Sequence, residues 1–151
     1  MRNKFKYSSR IDCEVEDLFD FHKDTSNLEA ITPPDIKVKL LSSNFNANKN
    51  EILKLKTYKY GIPATWEIQI SKLEYPNLIV DTALKSPFKH WEHSHIFREY
   101  GFECVLEDSI EYELKFFNNI ARKFVEKQLT AMFEYRHKIT KNILEKKSKK
   151  Q

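Results

Sequence analysis

The sequence contains only two glycines and two cysteines, and no apolar run approaches the roughly 18 to 20 residues of a membrane-spanning helix. Two glycines cannot form a glycine-rich phosphate loop, which argues against nucleotide folds that cradle phosphates. Cys13 and Cys104 are too few for a disulfide framework and have no metal-ligand spacing, so we interpret them as small hydrophobic residues in a reducing compartment. The first residues lack the apolar core of a secretion signal, and we expect a cytoplasmic protein.

Aromatic and charged residues are plentiful. The chain has 151 residues, of which 13% are aromatic and 32% charged, with a net charge of +4. This length is typical of one domain with one sizeable core. Much of the excess charge comes from lysines after residue 145, so we predict a single domain over 1–145 and a basic tail over 146–151. A tail of this kind is usually solvated, and no nucleic-acid partner is expected; the oligomeric state is left open.

Hydrophobic periodicity predicts a β-rich domain that ends in a long helix. Apolar residues alternate along a first strand, and two short helices follow, the second capped by Thr25 or Ser26 and ended by Pro33 and Pro34. The period then stays near two over six further strands with short connections, which indicates antiparallel hairpins. The predicted strands are Lys4–Asp12, Ile36–Ser42, Glu51–Tyr60, Ala64–Leu73, Leu78–Leu84, Trp91–Glu99 and Phe102–Lys115.

After Asn119 the period becomes helical and continues to about Glu145, with an apolar stripe that includes Phe117 and Phe124. A helix this long must lie across a sheet to bury one stripe. The fold class is therefore α+β: a seven-stranded, curved antiparallel sheet wrapped around the C-terminal helix, with an internal cavity between them.

The densest polar cluster runs from His90 to Tyr112. Alternation places Trp91, His93, His95 and Phe97 on the inner face of one strand, and Asp108, Ile110 and Tyr112 on the inner face of the next. If Tyr100 and Gly101 are the two turn residues, His93 lies directly opposite Asp108, and Trp91 lies opposite Ile110.

Three roles are open for these inward polar groups: an internal hydrogen-bonded network, a polar anchor for an otherwise apolar ligand, or acid–base catalysis by His93 with Asp108 or by His95. A metal site of His93 and His95, with His90 nearby and Asp81 adding a carboxylate, is a further alternative. Because such short His patterns are common by chance, we assign no metal, no catalytic residue and no cofactor.

Other aromatic residues fit either a core or a pocket wall. Trp66 alternates with Ile68 and Ile70 on the inner face of its strand. In the helix, the segment MFEYRH brings Met132, Tyr135 and Arg136 together, and Arg136 could reach an inner acid such as Asp81 or Asp108, a ligand anion, or solvent.

Several segments resemble the SRPBCC, or START-like, superfamily, whose fold is the helix grip of the birch-pollen allergen and of polyketide cyclases. The resemblance covers nearly the whole chain. It is carried by FDFHKDTSNLEAITPP at Phe19–Pro34, the run around Trp66, VD at Val80–Asp81, SPFKHWEHSHIF at Ser86–Phe97, and D-x-I-x-Y at Asp108–Tyr112. Ser86 stands where the bacterial ligand-binding branch of the superfamily usually has glycine.

This resemblance implies a cavity between sheet and helix but no particular activity, because the superfamily contains carriers, sensors and cyclases. The leading hypothesis is binding of a small, largely hydrophobic ligand. The alternatives are an enzyme of the cyclase or hydrolase kind that uses His93 or His95 with Asp108, and a protein-interaction module. The predicted ligand-binding residues are Trp66, Trp91, His93, His95, Phe97, Asp108, Ile110, Tyr112, Phe124, Met132 and Tyr135.

Overall fold

The computed structural model describes residues 2–42, 46–116 and 118–149. Within these ranges the chain forms seven strands, two α-helices and one short 3-10 helix. In chain order they are β1 (Asn3–Ile11), α1 (Val15–Lys23), the 3-10 helix (Thr25–Leu28), β2 (Ile36–Leu40), β3 (Ile52–Lys59), β4 (Ile62–Glu74), β5 (Leu78–Lys85), β6 (His90–Tyr100), β7 (Glu103–Glu113) and α2 (Asn119–Lys149). The predicted element order and fold class are confirmed.

The seven strands form one antiparallel sheet in the order β1-β7-β6-β5-β4-β3-β2. The first strand therefore joins the last one, while β2 forms the opposite edge. The pairing of β4 with β5 shifts register twice, between Glu67 and Ile68 and between Ile70 and Lys72. Such irregularities bend and twist a sheet, which lets it curl around the helix. No helix among the described residues has both the length and the apolar character needed to span a bilayer.

The second short helix differs from its prediction. It is a single 3-10 turn, and Asp24 caps it by accepting a hydrogen bond from the backbone nitrogen of Ser26. A carboxylate one residue before the turn accepts from this orphan donor as readily as a hydroxyl, so the prediction of Thr25 or Ser26 as the cap was wrong. The result is a short, irregular segment that leads from α1 to the start of β2.

The register of the β6–β7 hairpin also corrects a prediction. The turn lies at Gly101 and Phe102, where Gly101 adopts the left-handed φ of 61°, and Tyr100 pairs with Glu103. His93 therefore lies opposite Ile110, and Asp108 lies opposite His95, so the predicted direct pairing of His93 with Asp108 was wrong.

This shift moves each opposed pair by two residues rather than one. An even shift keeps every side chain on its face of the sheet. The predicted inner and outer faces of these strands are therefore correct, although the predicted turn was wrong.

The final helix, α2, runs four residues past its predicted end at Glu145 and is about 45 Å long. The first residues that we assigned to the basic tail are thus helical. Three predicted positions lie outside the described residues: Phe117 of the apolar stripe, Asn44 of the connection between the second and third predicted strands, and Lys150 of the tail.

Helix α2 packs mainly against β1, at one edge of the sheet. We call β1 and β7, which it covers, the closed side of the sheet, β2, β3 and β4 the open side, and β5 and β6 the boundary between them. The inner residues of β7 on the closed side are almost completely buried, whereas Ile36, Val38 and Leu40 of β2 on the open side remain partly exposed. The space between α2 and the open side is the cavity.

Candidate functional site

The cavity has a volume of about 330 Å³ and lies between the open side of the sheet, α2 and the segment that joins α1 to β2. Its size is at the lower end of the range for small-molecule sites. Most of its lining is apolar and comes from several elements. These residues include Phe21, Leu28, Ile31, Ile36, Val38, Leu40, Leu53, Leu55, Trp66, Ile68, Ile70, Ile79, Phe88, Trp91, Val125, Leu129, Met132 and Phe133.

Aromatic rings close one end of the cavity. The rings of Trp66 and Trp91 meet edge to face with centroids 5.3 Å apart, and Phe88 lies 4.8 Å from Trp91. These residues come from β4, β6 and the loop before β6, so three separate segments contribute to a rigid wall. Edge-to-face packing adds to the energy of burial and fixes the ring orientations.

Polar groups form the adjoining part of the wall, at the middle of β5 and β6. Asp81 and His93 are direct neighbours across these strands, and Asp81 Oδ2 lies 2.7 Å from His95 Nε2. The rings of His93 and His95 lie almost in contact, with centroids 3.9 Å apart. All three residues line the cavity.

Asp108, behind this wall, connects the sheet with α2. Its Oδ1 accepts a hydrogen bond of 2.6 Å from His93 Nε2, and its Oδ2 accepts one of 2.6 Å from His137 Nε2 on the helix. Ser9 of β1 shares a 2.6 Å hydrogen bond with the other ring nitrogen of His137. Because β1, β6, β7 and α2 all meet at this carboxylate, the network locks the helix to the closed side.

The two aspartates are held ionised. Burial would raise the pKa of Asp108, but hydrogen bonds from His137 and His93, together with the nearby imidazole of His95, hold it well below its usual range. Burial also opposes ionisation of Asp81, whereas the charge and hydrogen bond of His95 lower its pKa.

His95 is in turn cationic: burial disfavours its charge, yet Asp81 and Asp108 raise its pKa to about 10. Its Nδ1 lies 3.3 Å from Asp108 Oδ1, within ion-pair distance but without good hydrogen-bond alignment.

Two other histidines are neutral. Burial and the charge of His95 lower the pKa of His93, and they lower that of His22 to about 4. His22 Nδ1 donates to the carbonyl oxygen of Leu18 at 2.8 Å, which leaves its Nε2 as a hydrogen-bond acceptor. The rings of His22 and His95 are 5.6 Å apart, so a neutral and a cationic imidazole share one corner of the cavity.

Donor atoms of Asp81, His93 and His95 lie within 4.8 Å of one another, which would suit a divalent metal ion. The same atoms already serve hydrogen bonds: Asp81 accepts from His95, and His93 donates to Asp108. A metal at this position would have to replace the proton between Asp81 and His95.

The structure places the eleven predicted site residues in two groups. Five line the cavity: Trp66, Trp91, His93, His95 and Met132. The other six lie outside the cavity wall, and they are Phe97, Asp108, Ile110, Tyr112, Phe124 and Tyr135.

Four of these six lie on the inner face of the sheet but on its closed side or beyond the polar wall, where they are buried in the core: Phe97, Asp108, Ile110 and Tyr112. Tyr135 lies on α2 away from the cavity. Phe124 is 58% exposed, so the first turns of the apolar stripe of α2 extend past the sheet.

Sequence reasoning missed His22, His137 and Ser9. His137 follows Phe133 and Leu129 at helical spacing, and this periodicity could have placed it on the buried face of α2. His22 ends the apolar face of α1 in the same way. For Ser9, the alternation of β1 already placed it on the inner face with Phe5 and Tyr7, but nothing in the sequence indicated a partner 128 residues away.

The sequence matches the family model "Polyketide cyclase / dehydrase and lipid transport" over residues 11–135. None of the curated proteins matches the chain significantly. Among solved structures, a Chromobacterium violaceum protein is similar with a TM-score of 0.77 and 12% identity, covering 95% of this chain and 98% of that one. A START superfamily protein from Mycobacterium smegmatis has a TM-score of 0.73 and 14% identity, with coverage of 95% and 97%.

A third similar structure is the di-domain aromatase/cyclase StfQ from the steffimycin biosynthetic pathway. Its TM-score is 0.78 at 13% identity, and the match covers 97% of this chain and 52% of that chain. At such identities the structural likeness shows a shared fold. Together with the family match over most of the chain, it establishes that this protein belongs to the polyketide cyclase/dehydrase and lipid transport family of the SRPBCC superfamily.

Proposed function

We propose that the protein binds a small, largely apolar molecule in the cavity between the sheet and α2. The observation that carries this proposal is the cavity itself: about 330 Å³ lined mainly by apolar side chains, with a few polar groups gathered on one wall. Cores normally pack without voids larger than a water molecule, so a space of this size is costly unless it is used. Membership of a family described by lipid transport as well as cyclisation supports the same function.

In this proposal, the ligand's apolar body contacts Trp66, Trp91 and Met132, while its polar end faces His93 and His95. The Asp81–His95 pair offers fixed charges, and His22 Nε2 offers an acceptor for a hydroxyl group. Asp108 acts from behind the wall by fixing the ring of His93. Phe97, Ile110 and Tyr112 support the wall from the core.

The first test is native mass spectrometry of the protein purified from its own host, in which a co-purified small molecule is expected. In a second test, Ile68→Trp fills the cavity, and Ile96→Trp places the same side chain on the outer face of the sheet. Quenching of Trp66 and Trp91 fluorescence by the ligand should be lost in the first variant and retained in the second. Equal binding by both variants would place the ligand elsewhere.

One observation also supports catalysis as a second candidate function. His95 and His22 share a corner of the cavity, yet their pKa values are moved apart, to about 10 and about 4. Such pairs are typical of acid and base assignments in active sites. Both ring nitrogens of His95 face carboxylates, so in a cyclisation its positive charge would stabilise a developing enolate oxygen, and neutral His22 would accept the proton from the adjacent carbon.

The variant His95→Gln separates the two functions. If the protein is a binding module, the variant should bind the ligand somewhat more weakly, and neither the wild type nor the variant should show turnover. If it is a cyclase, cyclisation of a linear poly-β-ketone analogue should stop while binding of the analogue persists. Product formed at the wild-type rate by His95→Gln would exclude the catalytic role of this residue.

A further inference from the structure

Arg136 of α2 is the one cation on the cavity wall without a carboxylate within 4.0 Å in the described part of the chain. The other two cations are already matched: Lys59 bonds to Gln128 and lies 3.7 Å from Asp35, and His95 contacts Asp81 and Asp108. A charge on an apolar wall is unfavourable unless it is paired, so Arg136 requires an explanation.

The surroundings of the Arg136 side chain show the same lack of a partner. Its Nε is shielded from solvent and has no hydrogen-bond partner, and its guanidinium carbon lies 5.3 Å from the centre of the Phe133 ring. Burial lowers the pKa of Arg136, while the charges of Asp108 and Asp81 raise it from a distance. These aspartates are already bonded to histidines, so neither one completes the donor set of the guanidinium.

We propose that Arg136 binds the acidic group of the ligand, and that the natural ligand is an amphipathic carboxylic acid. This inference rests on the proposed binding function and specifies the chemistry of the ligand. A planar guanidinium donates two parallel hydrogen bonds to a carboxylate, a geometry that ammonium and imidazolium groups cannot provide.

Charge counting favours a singly charged acid. The carboxylates of Asp81 and Asp108 already offset the positive charges of His95 and Arg136, so every negative charge on the ligand adds to the net negative charge of this region. A phosphate monoester would bring a second negative charge into a wall that already holds the ionised Asp81. Neutral His22 provides no compensation for that second charge.

The apolar part of the cavity defines the rest of the ligand. From Arg136 the lining continues through Met132 and Leu129 of α2 towards the aromatic end at Trp66 and Trp91. A ligand with its carboxylate at Arg136 therefore directs its apolar body along the helix. The acid lies beside the His22–His95 corner, where a second functional group would meet the neutral and the cationic imidazole.

The test compares three probes that share a chain and differ in the head group: decanoate, decanol and decylamine. Binding is measured by isothermal titration calorimetry at neutral pH. Because a charge-assisted hydrogen-bonded pair outweighs a neutral one, we expect decanoate to bind roughly 10- to 100-fold more tightly than decanol, and decylamine most weakly. Decyl phosphate should bind less tightly than decanoate.

The variant Arg136→Met keeps an unbranched apolar stem and removes the charged guanidinium. It should abolish the preference for decanoate and leave the affinity for decanol within about threefold of wild type, since the apolar contacts persist. Arg136→Lys should retain a reduced preference. The matched control Arg122→Met removes an arginine of the same helix that is paired with Glu126 outside the cavity, and it should behave as wild type.

Each outcome is informative. Equal affinity of the wild type for decanoate and decanol would overturn the proposal while leaving apolar binding intact, and so would an undiminished preference in Arg136→Met. Loss of the preference in Lys59→Met but not in Arg136→Met would show that Lys59, and not Arg136, binds the acid. If none of the probes binds, the proposed function fails and this inference fails with it. A thermal midpoint of Arg136→Met at or above that of wild type verifies folding.

Discussion

Two strands of the same sheet carry the same alternating pattern and end in different environments. On β7, on the closed side, the inner residues from Cys104 to Tyr112 are at most 3% exposed. On β2, on the open side, the inner residues Ile36, Val38 and Leu40 are only partly buried. Alternation therefore establishes which face of a strand is inner, and the distance to α2 establishes whether that face is packed or lines a cavity.

The closed side also contains the buried carboxylate of Asp108, and its hydrogen bonds make this side rigid. Asp108 binds His93 of the sheet and His137 of the helix with two short hydrogen bonds. The open side has no comparable connection among the described residues; there, Lys59 of β3 reaches Gln128 of α2 at the cavity rim. A firmly anchored helix at one edge keeps the space at the other edge from collapsing.

The largest effect is expected from Asp108→Asn. The amide cannot accept hydrogen bonds at both positions, so one buried histidine loses its partner, and breaking a buried charged pair typically costs about 3 to 5 kcal/mol. Urea denaturation measures this loss. Glu107→Gln is the control on the outer face of the same strand, where a pair with the half-exposed Arg98 makes a change below about 1 kcal/mol the expected result. Similar losses in both variants would show that the network does not anchor the helix.

A matched pair of isoleucines compares packing on the two sides. Ile110→Ala, at a position 1% exposed on the closed side, should reduce the free energy of unfolding by about 2 to 5 kcal/mol. Ile68→Ala on the cavity wall removes a side chain that is already partly exposed, so we expect less than half of that loss. Denaturant titration of both variants gives the ratio, and equal losses would mean that the open side is as tightly packed as the closed side.

The boundary between the two sides should show opposite pH dependence at two histidines. Because the folded pKa of His95 is raised to about 10, its contribution to stability is complete below its unfolded value near 6.5 and is lost as pH rises towards 10. Because the folded pKa of His22 is lowered to about 4, its contribution is present above 6.5 and is lost as pH falls towards 4.

Imidazole NMR titration would assign each group. His22 should remain neutral down to about pH 4, and His95 should remain protonated up to about pH 10. Ordinary titration of His95 near 6.5 would remove the cationic group from the cavity wall. The chain has only five histidines, so each imidazole signal can be assigned.

The smallest effect is expected at the end of α2. Truncation after Glu145 removes the basic tail but keeps Leu144 in the core and the hydrogen bond from Asp12 N to Glu145 Oε1. Stability should change by less than about 0.5 kcal/mol, and decanoate binding should not change. Truncation after Ile143 serves as the contrast, because it removes both contacts. A large loss of stability on truncation after Glu145 would show that the tail contributes to the fold.

Most of the fold could be predicted because it depends on local patterns. Alternation identified seven strands, short connections identified antiparallel pairing, and the change to helical period identified α2. The cap of the 3-10 helix, the β6–β7 turn and the end of α2 differ from their predictions, because a shift of a few residues changes the local free energy little. The turn at Gly101 illustrates this: two neighbouring turns satisfy the same alternation, and only the packing of whole strands selects one.

The site was predicted less completely. Strand parity brought His93, His95 and Asp108 to inner faces, and His93 does bond to Asp108, although diagonally rather than directly across the hairpin. Parity cannot show that Asp108 lies behind the wall, that Asp81 pairs with His95, or that His137 arrives from a helix 29 residues later. Those contacts join elements that are distant in sequence.

The sequence by itself determined the order of the elements, the faces of the strands and the family to which the chain belongs, because each follows from periodicity or from short runs of residues. Only the tertiary structure decided where the cavity opens, which histidines carry charge and that Arg136 is left without a partner. The physical reason is that burial and pKa depend on what surrounds a group in three dimensions, and the distance between a curved sheet and a helix anchored at one edge is a property of the whole fold.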